Sequence, residues 1–346
     1  TFMFVMIGNL LLEIQGMTFS FWLALFSVSC MANVLGLNIS SAFNSAVTVY
    51  VIIPLLLIPQ MILSGLLFSF DKLNNIISTK GKVPIVADFM ASRWAYEAMA
   101  VYQFKENSYS EPYYKYEKIE KQADFKSSYL IKELKKKNQF VVENLDTTND
   151  SIKNLIIKDL QILKDEIGKE EFRTGLEDLD INKALSVEVF NSSKAQIIDA
   201  YLDGLKKHYL GIYNDAEQTK EKFVLFKKKN GDYDLNEYKN NYYSESLSDF
   251  VRNINVKDRI IEYKGELLQQ IDPIYHDPEA PEHIFDYRTH FFAPTKHFAG
   301  FYFDTYGFNL TVIWMMTLLF YITLYFELLR KALSSFDKVK LFKKKE

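Results

Sequence analysis

The stretch "AVTVYVIIPLLLIPQMILSGLLFSFDKLN", residues 46–74, is apolar until it meets an Asp-Lys pair. A helix needs roughly 20 mostly apolar residues to cross the hydrocarbon core of a bilayer, and residues 46–69 satisfy that length. Pro54 and Pro59 each remove a backbone donor, which a membrane helix tolerates only where neighbouring groups or water satisfy the freed carbonyls. We therefore predict a kinked membrane helix that lines a moving part of the molecule.

Further apolar runs cover residues 1–12, 19–39 and 308–329. Before the Asp-Lys pair, Glu13 is the sole acidic or basic side chain. The net charge of -3 and the mean hydropathy of -0.10 are typical of a soluble protein, but they average over a strongly segregated chain. The sequence therefore predicts an all-α integral membrane protein.

Basic residues predict the orientation of this protein in the membrane. Arg330, Lys331 and the lysines between 338 and 345 follow the last apolar run. Because basic residues collect on the cytoplasmic side, we expect the C-terminus in the cytoplasm and the long polar insert outside the cytoplasmic (inner) membrane, which the chain crosses several times. The run 1–12 is too short to cross, so we expect a preceding part of a longer chain to begin that helix.

Composition divides the chain into four parts. Residues 1–72 are expected to form membrane helices, and residues 73–104 a re-entrant segment in the outer leaflet. Residues 105–300 are expected to form an extracytoplasmic domain, and residues 301–346 the last membrane helix with a basic tail.

Small polar residues lie within and after the second apolar run. They include Ser27, Ser29 and Asn38. In lipid such groups need partners, so they are expected either to hydrogen-bond between helices or to line a translocation surface.

The segment "VPIVADFMASRWAYEAMAVYQF", residues 83–104, has apolar residues at helical spacing but is interrupted by Asp88, Arg93 and Glu97. Arg93 and Glu97 are four residues apart, so they share one helix face and are predicted to pair. The pair is open to two interpretations, a local ion pair or part of a mechanism. Trp94 and its aromatic neighbours are expected at the membrane–water boundary.

The insert 105–300 is predicted to be mainly helical, because several stretches show apolar residues at three-and-four spacing. These stretches are residues 127–145, 150–167, 187–213 and 242–271. Cys30 is the sole cysteine and lies in an apolar run, so the insert can form no disulfide. A lid, a docking site for another envelope protein and a mechanical lever are all open as roles, and nothing indicates binding of nucleic acid.

Histidines recur every seven residues near the end of the insert, at His276, His283, His290 and His297. Prolines interrupt any continuous helix there, so the interval does not place them on one face. We predict no metal site, with His290 and His297 as the weak candidates. No nucleophile, zinc-protease or other catalytic motif occurs, and no catalytic residue is predicted.

Several phrases together resemble the permease half of the G-subfamily ABC exporters, the White and pleiotropic-drug-resistance type. They are "LSGLLFSF" (63–70), "ASRWAYEAM" (91–99) and "FSVSCMANVLGLNIS" (26–40). The resemblance covers about residues 1–104 and 300–346, with Trp94 and Ala95 in place of the usual Tyr and Gly. The large insert resembles bacterial, Bacteroidota-type variants, for which the outside is the periplasm.

The resemblance implies roles for individual residues. Leu66 and Leu67 correspond to the leucine plug that closes the cavity toward the outside. Pro54, Ile58 and Met61 are expected to line the cavity below this plug.

The resemblance also implies a roof over the exit, formed by the re-entrant residues Arg93, Trp94, Tyr96 and Glu97. The chain has no G-x-x-x-x-G-K-[ST] phosphate loop, so it is not itself an ATPase. ATP and Mg are expected in a nucleotide-binding domain that lies upstream or on another chain.

The resulting prediction is one half of a homo- or heterodimeric ATP-driven exporter, which moves an apolar or amphipathic substrate across the cytoplasmic membrane. The alternative is a membrane-anchored extracytoplasmic domain with a sensory, structural or enzymatic role.

Overall fold

The computed structural model describes residues 1–43, 45–74, 79–176, 185, 190–229, 234–281 and 283–334. The described part is mostly helical, and it forms two compact units. The first unit contains residues 1–111, 235–251 and 277–346, and the second contains residues 112–234 and 252–276. The second unit is thus narrower than the insert 105–300 that composition indicates. The predicted basic tail from Lys338 onward lies outside the described residues.

Apolar helices dominate the first unit. They are α1 (Phe2–Leu11), α2 (Thr18–Ala42), α3 (Ala46–Ile62) and, near the end of the chain, α12 (Thr305–Tyr325). By length and composition α2 and α12 could cross a membrane, whereas α1 and α3 are shorter apolar helices. Few residues of the two longer helices are buried within the chain, 17% of the apolar window of α2 and 22% of that of α12. This agrees with membrane association, and the number and direction of crossings stay predictions.

Helix α3 ends earlier than the predicted span 46–69. The Ser64 hydroxyl donates to the Met61 carbonyl at 2.8 Å and accepts from the Leu66 amide at 3.2 Å. Gly65 follows with a φ of +81°, a left-handed conformation that favours glycine. The predicted extent was wrong because these local hydrogen bonds replace the helical ones, and the 17-residue helix stops at Ile62.

Two further helices of the first unit follow α3 in the chain. They are the short α4 (Ile85–Asp88) and the longer α5 (Ala91–Lys105). Helix α5 packs against both α2 and α12. Buried Trp94 meets Met31 of α2 and Ile313 of α12 in one apolar cluster. Trp94 is 2% exposed, so neighbouring protein groups cover its ring, and its expected position at the membrane–water boundary stays a prediction. Its indole nitrogen donates to the Asp88 carbonyl at 2.8 Å, which satisfies its one polar group inside the core.

Polar residues in α2 hydrogen-bond within and between helices. Asn38 donates to the Phe320 carbonyl of α12 at 2.8 Å, and the Thr323 hydroxyl donates to Asn38 Oδ1 at 3.1 Å. Ser27 and Ser29 donate to carbonyls one turn earlier in their own helix. For Asn38 these contacts fit the interpretation that polar residues hydrogen-bond between helices, because Asn38 joins α2 to α12.

Helices also form most of the second unit. They are α6 (Glu111–Phe125), continued by a π-helical segment (Lys126–Leu130), then α7 (Ile131–Glu143), α8 (Asp150–Thr174) and α9 (Ser192–Lys229). Their apolar stripes meet in one core that includes fully buried Leu134, Leu163, Ile198 and Leu202. The periodicity of residues 127–145, 150–167 and the described part of 187–213 predicted α7, α8 and α9, and the structure confirms these three helices. Helix α6 lies outside the predicted stretches.

The predicted helical stretch 242–271 is wrong beyond residue 251. Helices α10 (Leu235–Tyr242) and α11 (Glu245–Val251) belong to the first unit, and strands β1 (Ile260–Tyr263) and β2 (Glu266–Gln269) follow in the second. The strands pair antiparallel around Lys264 and Gly265, whose φ values are 52° and 86°. Two positive φ values in a two-residue loop favour a tight hairpin, which a helix cannot accommodate.

A second hairpin leads into the last apolar helix. Strands β3 (Thr295–Phe298) and β4 (Phe301–Asp304) pair antiparallel around Ala299 and Gly300, which also have positive φ. The Asp304 carboxylate then accepts from the Tyr306 amide at 3.0 Å and caps the start of α12. The fold is therefore mainly helical, with two small hairpins that the all-α prediction did not include.

Candidate functional site

A buried carboxylate, Glu97, lies at the centre of a polar cluster inside the first unit. Lys296 Nζ donates to Glu97 Oε1 at 2.7 Å, and Asn309 Nδ2 donates to Glu97 Oε2 at 2.9 Å. The backbone amide of Phe292 donates to Oε1 at 3.1 Å, and Arg93 Nη2 lies 3.6 Å from Oε2. We call Asp88, Arg93, Glu97, Lys296 and Asn309 the Glu97 cluster.

The local structure brings these groups together from four elements. Arg93 and Glu97 lie one turn apart on α5, so the predicted pairing on one helix face is confirmed. Lys296 lies on β3, with its side chain 1% exposed. Asn309 lies one turn into α12 and also donates to the Trp94 carbonyl at 3.0 Å, which joins α12 to α5.

Charge balance keeps both members of the central pair ionised at neutral pH. Burial would raise the pKa of Glu97, but the nearby Lys296 and Arg93 and two hydrogen bonds outweigh burial and lower that pKa below its usual value. Burial lowers the pKa of Lys296 to about 8, although Glu97 opposes this shift. A pKa of about 8 still leaves the lysine largely protonated at pH 7, so the pair is an ion pair.

Arg93 connects the central pair to Asp88. Arg93 Nη1 lies 3.7 Å from Asp88 Oδ1, and the guanidinium carbon lies 3.8 Å from the centroid of the Trp94 ring. Tyr287 donates its hydroxyl to Asp88 Oδ2 at 3.1 Å. Burial raises the pKa of Asp88, and Arg93 offsets that rise only in part. Stacking and ion pairing therefore hold the guanidinium in place, rather than short hydrogen bonds.

The arrangement is suited to holding elements together rather than to catalysis. The Glu97 side chain is 0% exposed, and its carboxylate accepts hydrogen bonds from Lys296, Asn309 and Phe292 within the same unit. Lys296 is also occupied, because it donates to the Thr289 hydroxyl at 2.6 Å. Phe292 has a φ of 63°, rare for a bulky residue, and its amide points at Glu97 in this conformation.

The four residues of the predicted roof separate into two environments. Arg93, Trp94 and Glu97 belong to the buried region just described. Tyr96 is directed elsewhere, and its ring packs against those of Phe250 and Phe292 at centroid distances of 6.1 Å. Burial raises the pKa of Tyr96 to about 12. That these four residues form a roof over the exit of a transport path stays a prediction.

The residues of the predicted cavity, Pro54, Ile58 and Met61, all lie on α3. Ile58 and Met61 are more than half exposed within this chain, and Pro54 is exposed as well. The end of the helix is anchored, since the Ser92 hydroxyl of α5 donates to the Gln60 carbonyl at 2.7 Å. This contact satisfies one of the carbonyls that a helix end leaves without an internal partner.

The predicted plug residues, Leu66 and Leu67, follow the turn at Gly65. They are 53% and 54% exposed, so the described chain leaves about half of each residue uncovered. The turn itself is tightly packed. A Cβ atom added at Gly65 would lie 2.5 Å from Phe291 Cζ, so only glycine fits against this ring. The tightly packed turn therefore fixes the position of the backbone from which Leu66 and Leu67 extend.

The weak metal candidates do not assemble a metal site. His297 is buried and its Nδ1 donates to the Asp286 carbonyl at 2.7 Å, which is a structural contact to the backbone. His290 is partly buried on the loop before β3. Among the residues that the structure describes, no group of three or more His, Cys, Asp or Glu side chains could hold a metal ion.

Sequence reasoning missed Lys296 and Asn309. Both are distant from Glu97 in sequence, by 199 and 212 positions, so no helical spacing connects them to it. One signal was present in the segment "APTKHFAG", where a single lysine stands among apolar and aromatic residues beside an apolar helix. A lone charge in such a place is usually paired when it is buried.

Comparisons with known proteins leave this chain without a family assignment. No protein-family model, no curated protein and no solved structure matches it. The likeness of residues 63–70 and 91–99 to the G-subfamily exporters therefore supports a proposal only.

Proposed function

We propose that this chain forms the membrane-spanning half of an ATP-driven exporter of apolar or amphipathic molecules. In this proposal the ATPase domain belongs to another part of the protein or to another chain, and it uses ATP and Mg there. A second permease half completes the translocation path. The second, helical unit lies outside the cytoplasmic membrane.

The observation that carries the proposal is the surface of α3. The described helix contains no buried residue, although it is apolar on all sides and contains Pro54 and Pro59. A helix that is apolar all round is normally covered by protein or lipid. Lipid can cover one side of α3, and a facing helix of a second permease half can cover the side that contains Ile58 and Met61.

The end of α3 also supports transport. Ser92 binds the Gln60 carbonyl in the last turn of α3, the ring of Phe291 lies against Gly65, and Leu66 and Leu67 follow this turn. Two large apolar side chains at the end of a kinked helix can meet their counterparts from the other half and close the path. A hydrophobic constriction of this kind stops passage without any charged group.

The alternative, a membrane anchor for an extracytoplasmic sensor or enzyme, explains less of this geometry. An anchor needs an apolar helix of sufficient length but no internal prolines and no fixed turn. The second unit does have a well-packed core, which fits a domain that functions by its own surface. The two proposals differ in what they expect from the leucine pair.

The test replaces the pair in the full-length protein with its ATPase, reconstituted in liposomes. Leu66→Ala with Leu67→Ala is expected to lower substrate-stimulated ATP hydrolysis and export several-fold, because the closure no longer seals. The matched control is Leu55→Ala with Leu56→Ala, which removes the same volume from exposed positions in the middle of α3, before the predicted plug. Unchanged export and unchanged stimulation in the plug variant exclude the gate.

Any sequence upstream of residue 1, or a chain that co-purifies with this one, provides an independent test. A phosphate-binding loop and an LSGGQ-like signature in it, or in a chain that co-purifies, support the exporter. A receptor or kinase domain directly upstream contradicts it and favours the anchored sensor.

A further inference from the structure

An aromatic surface lies on the hairpin of β3 and β4, directly before α12. All four residues of β4 are exposed, and three of them are aromatic. Further exposed side chains come from the end of β3 and from the loop that precedes it. We call this surface the hairpin patch, and it consists of Ile284, Phe285, Phe298, Phe301, Tyr302 and Phe303.

Backbone and ring contacts hold the patch in one arrangement. The Ala299 amide, in the turn of the hairpin, donates to the Ile284 carbonyl at 2.9 Å, which joins the preceding loop to the hairpin. The ring of Phe303 lies 6.1 Å from that of Phe308, near the start of α12, between centroids. The patch is therefore continuous with the surface of the last apolar helix.

The hairpin part of the patch is free of formal charge. Residues 297–303 include no aspartate, glutamate, lysine or arginine. The lysine before them, Lys296, is 1% exposed and pairs with Glu97 inside the unit. At the far end of β4, Asp304 pairs with Lys105 at 2.6 Å. An exposed apolar surface of this extent normally marks a contact with another protein or with a membrane.

The other hairpin shows that the turn does not require aromatic residues. Strands β1 and β2 also join through a two-residue loop with positive φ. Their pair Tyr263 and Glu266 corresponds to the pair Phe298 and Phe301, because each pair flanks the loop directly. A charged residue is thus compatible with the position of Phe301. The surroundings of the patch, rather than the geometry of the hairpin, therefore explain its composition.

We propose that the hairpin patch lies in the lipid headgroup region of a bilayer that α12 crosses. Asp304 caps α12, whose 21 residues extend about 30 Å, the thickness of the hydrocarbon core. A crossing of this length leaves Asp304 at the boundary with water and β4 beside it. Aromatic rings are favoured at this level, and tyrosine can keep its hydroxyl in water there.

A lipid surface explains the patch better than a partner protein does. Phe303 contacts the start of α12, so the patch and the exposed apolar side of this helix face the same medium. A patch in the headgroup region also fixes the depth of α12 and, through Lys296, that of α5. The inference rests on the membrane-spanning part of the proposed function and not on transport.

The test measures the surroundings of single spin labels by electron paramagnetic resonance, with the whole chain in phosphatidylcholine nanodiscs. Cys30 is the sole cysteine, so Cys30→Ser provides a background in which one new cysteine carries the label. The labelled variants are Phe301→Cys in the patch, Glu266→Cys as its matched control, and Leu318→Cys on α12, all at exposed positions. Tyr302→Cys serves as the patch variant if Phe301→Cys lowers the temperature of thermal unfolding.

Two relaxing reagents distinguish the possible surroundings of each label. Molecular oxygen concentrates in lipid, a nickel chelate stays in water, and protein that covers a label excludes both. The ratio of oxygen to nickel accessibility is expected to be highest at Leu318 and lowest at Glu266. At Phe301 we expect an intermediate ratio, several-fold above that at Glu266.

Three results overturn the inference. A ratio at Phe301 equal to that at Glu266 means that the patch lies in water, and a high ratio at Leu318 then leaves the membrane-spanning part of the proposed function standing. Low accessibility to both reagents at Phe301 means that protein, such as a second copy of this chain, covers the patch. A low ratio at Leu318 contradicts the membrane-spanning part of the proposed function and this inference with it.

Discussion

Lys296 donates to Glu97 across 2.7 Å, although 199 positions of chain separate the two residues and neither is more than 1% exposed. This contact joins β3, the first strand of the hairpin before α12, to α5. Removing one partner of such a pair leaves an uncompensated charge in the interior, which is more costly than removing both.

Replacing one member of the pair is therefore expected to destabilise the first unit strongly. Lys296→Met or Glu97→Leu alone should lower the free energy of unfolding by about 3–5 kcal/mol. The double variant should be more stable than either single variant, because Arg93 and Asp88 then remain as a balanced pair. Denaturation in nanodiscs, followed by tryptophan fluorescence, measures these differences.

The control for this prediction is Lys136→Met, which breaks an exposed pair with Glu133 in the second unit. Its expected cost is below about 1 kcal/mol, as for other exposed pairs. If Lys296→Met and Lys136→Met lower the free energy of unfolding equally, burial does not determine the contribution of the pair.

Lys296 should also produce a specific pH dependence. Its pKa falls from 10.5 in the unfolded chain to about 8 in the folded one. Between these values the unfolded chain holds a proton that the folded chain has released, so this group's contribution to stability rises with pH across that window. The difference in stability between the unchanged protein and Lys296→Met should shift accordingly between about pH 7 and about pH 10. A difference that does not vary with pH contradicts the lowered pKa.

The turn after α3 should not tolerate a side chain at Gly65. Gly65→Ala introduces a Cβ atom against Phe291 and requires a positive φ of 81°, so we expect a loss of more than about 1 kcal/mol in unfolding free energy. Gly8→Ala is the matched control, because α1 has open space around Gly8. That change should stabilise its helix by about 0.5–1 kcal/mol, since alanine loses less conformational entropy. Similar effects of the two substitutions contradict the tight packing at Gly65.

The first hairpin offers a stabilising substitution. Lys264 adopts a φ of 52° in the two-residue loop before Gly265. Asparagine accepts this conformation more readily than lysine, so Lys264→Asn should raise the free energy of unfolding by a few tenths to about 1 kcal/mol. Lys264→Ala also removes the lysine side chain, but alanine does not favour a positive φ. This variant should therefore not raise the free energy of unfolding. A chemical denaturation series of the three proteins measures both, and a gain in both variants indicates a cause other than the turn.

Local patterns in the sequence were sufficient for the helices. Runs of apolar residues predicted α1, α2, α3 and α12, and three-and-four spacing predicted α7, α8 and α9. Spacing also predicted the Arg93–Glu97 pair. These predictions hold because burial of a stripe or of a whole helix surface depends on residues that are near in sequence.

The hairpins could not be recognised in the same way. Asn-Gly and Asp-Gly are the usual signals of a tight hairpin, whereas the loops here are Lys264-Gly265 and Ala299-Gly300. The residue before each glycine adopts a positive φ that its side chain does not favour. Pairing of the flanking strands and packing around them select this conformation, and neither is visible in a single stretch of sequence.

The sequence by itself determined the apolar helices, the helical second unit and the charged face of α5. Only the tertiary structure decided that Lys296 and Asn309 meet Glu97, and that Phe291 closes on Gly65. The physical reason is the range of the interactions. Hydrophobic periodicity acts within a few turns, whereas the compensation of a buried charge depends on which distant segment packs against it.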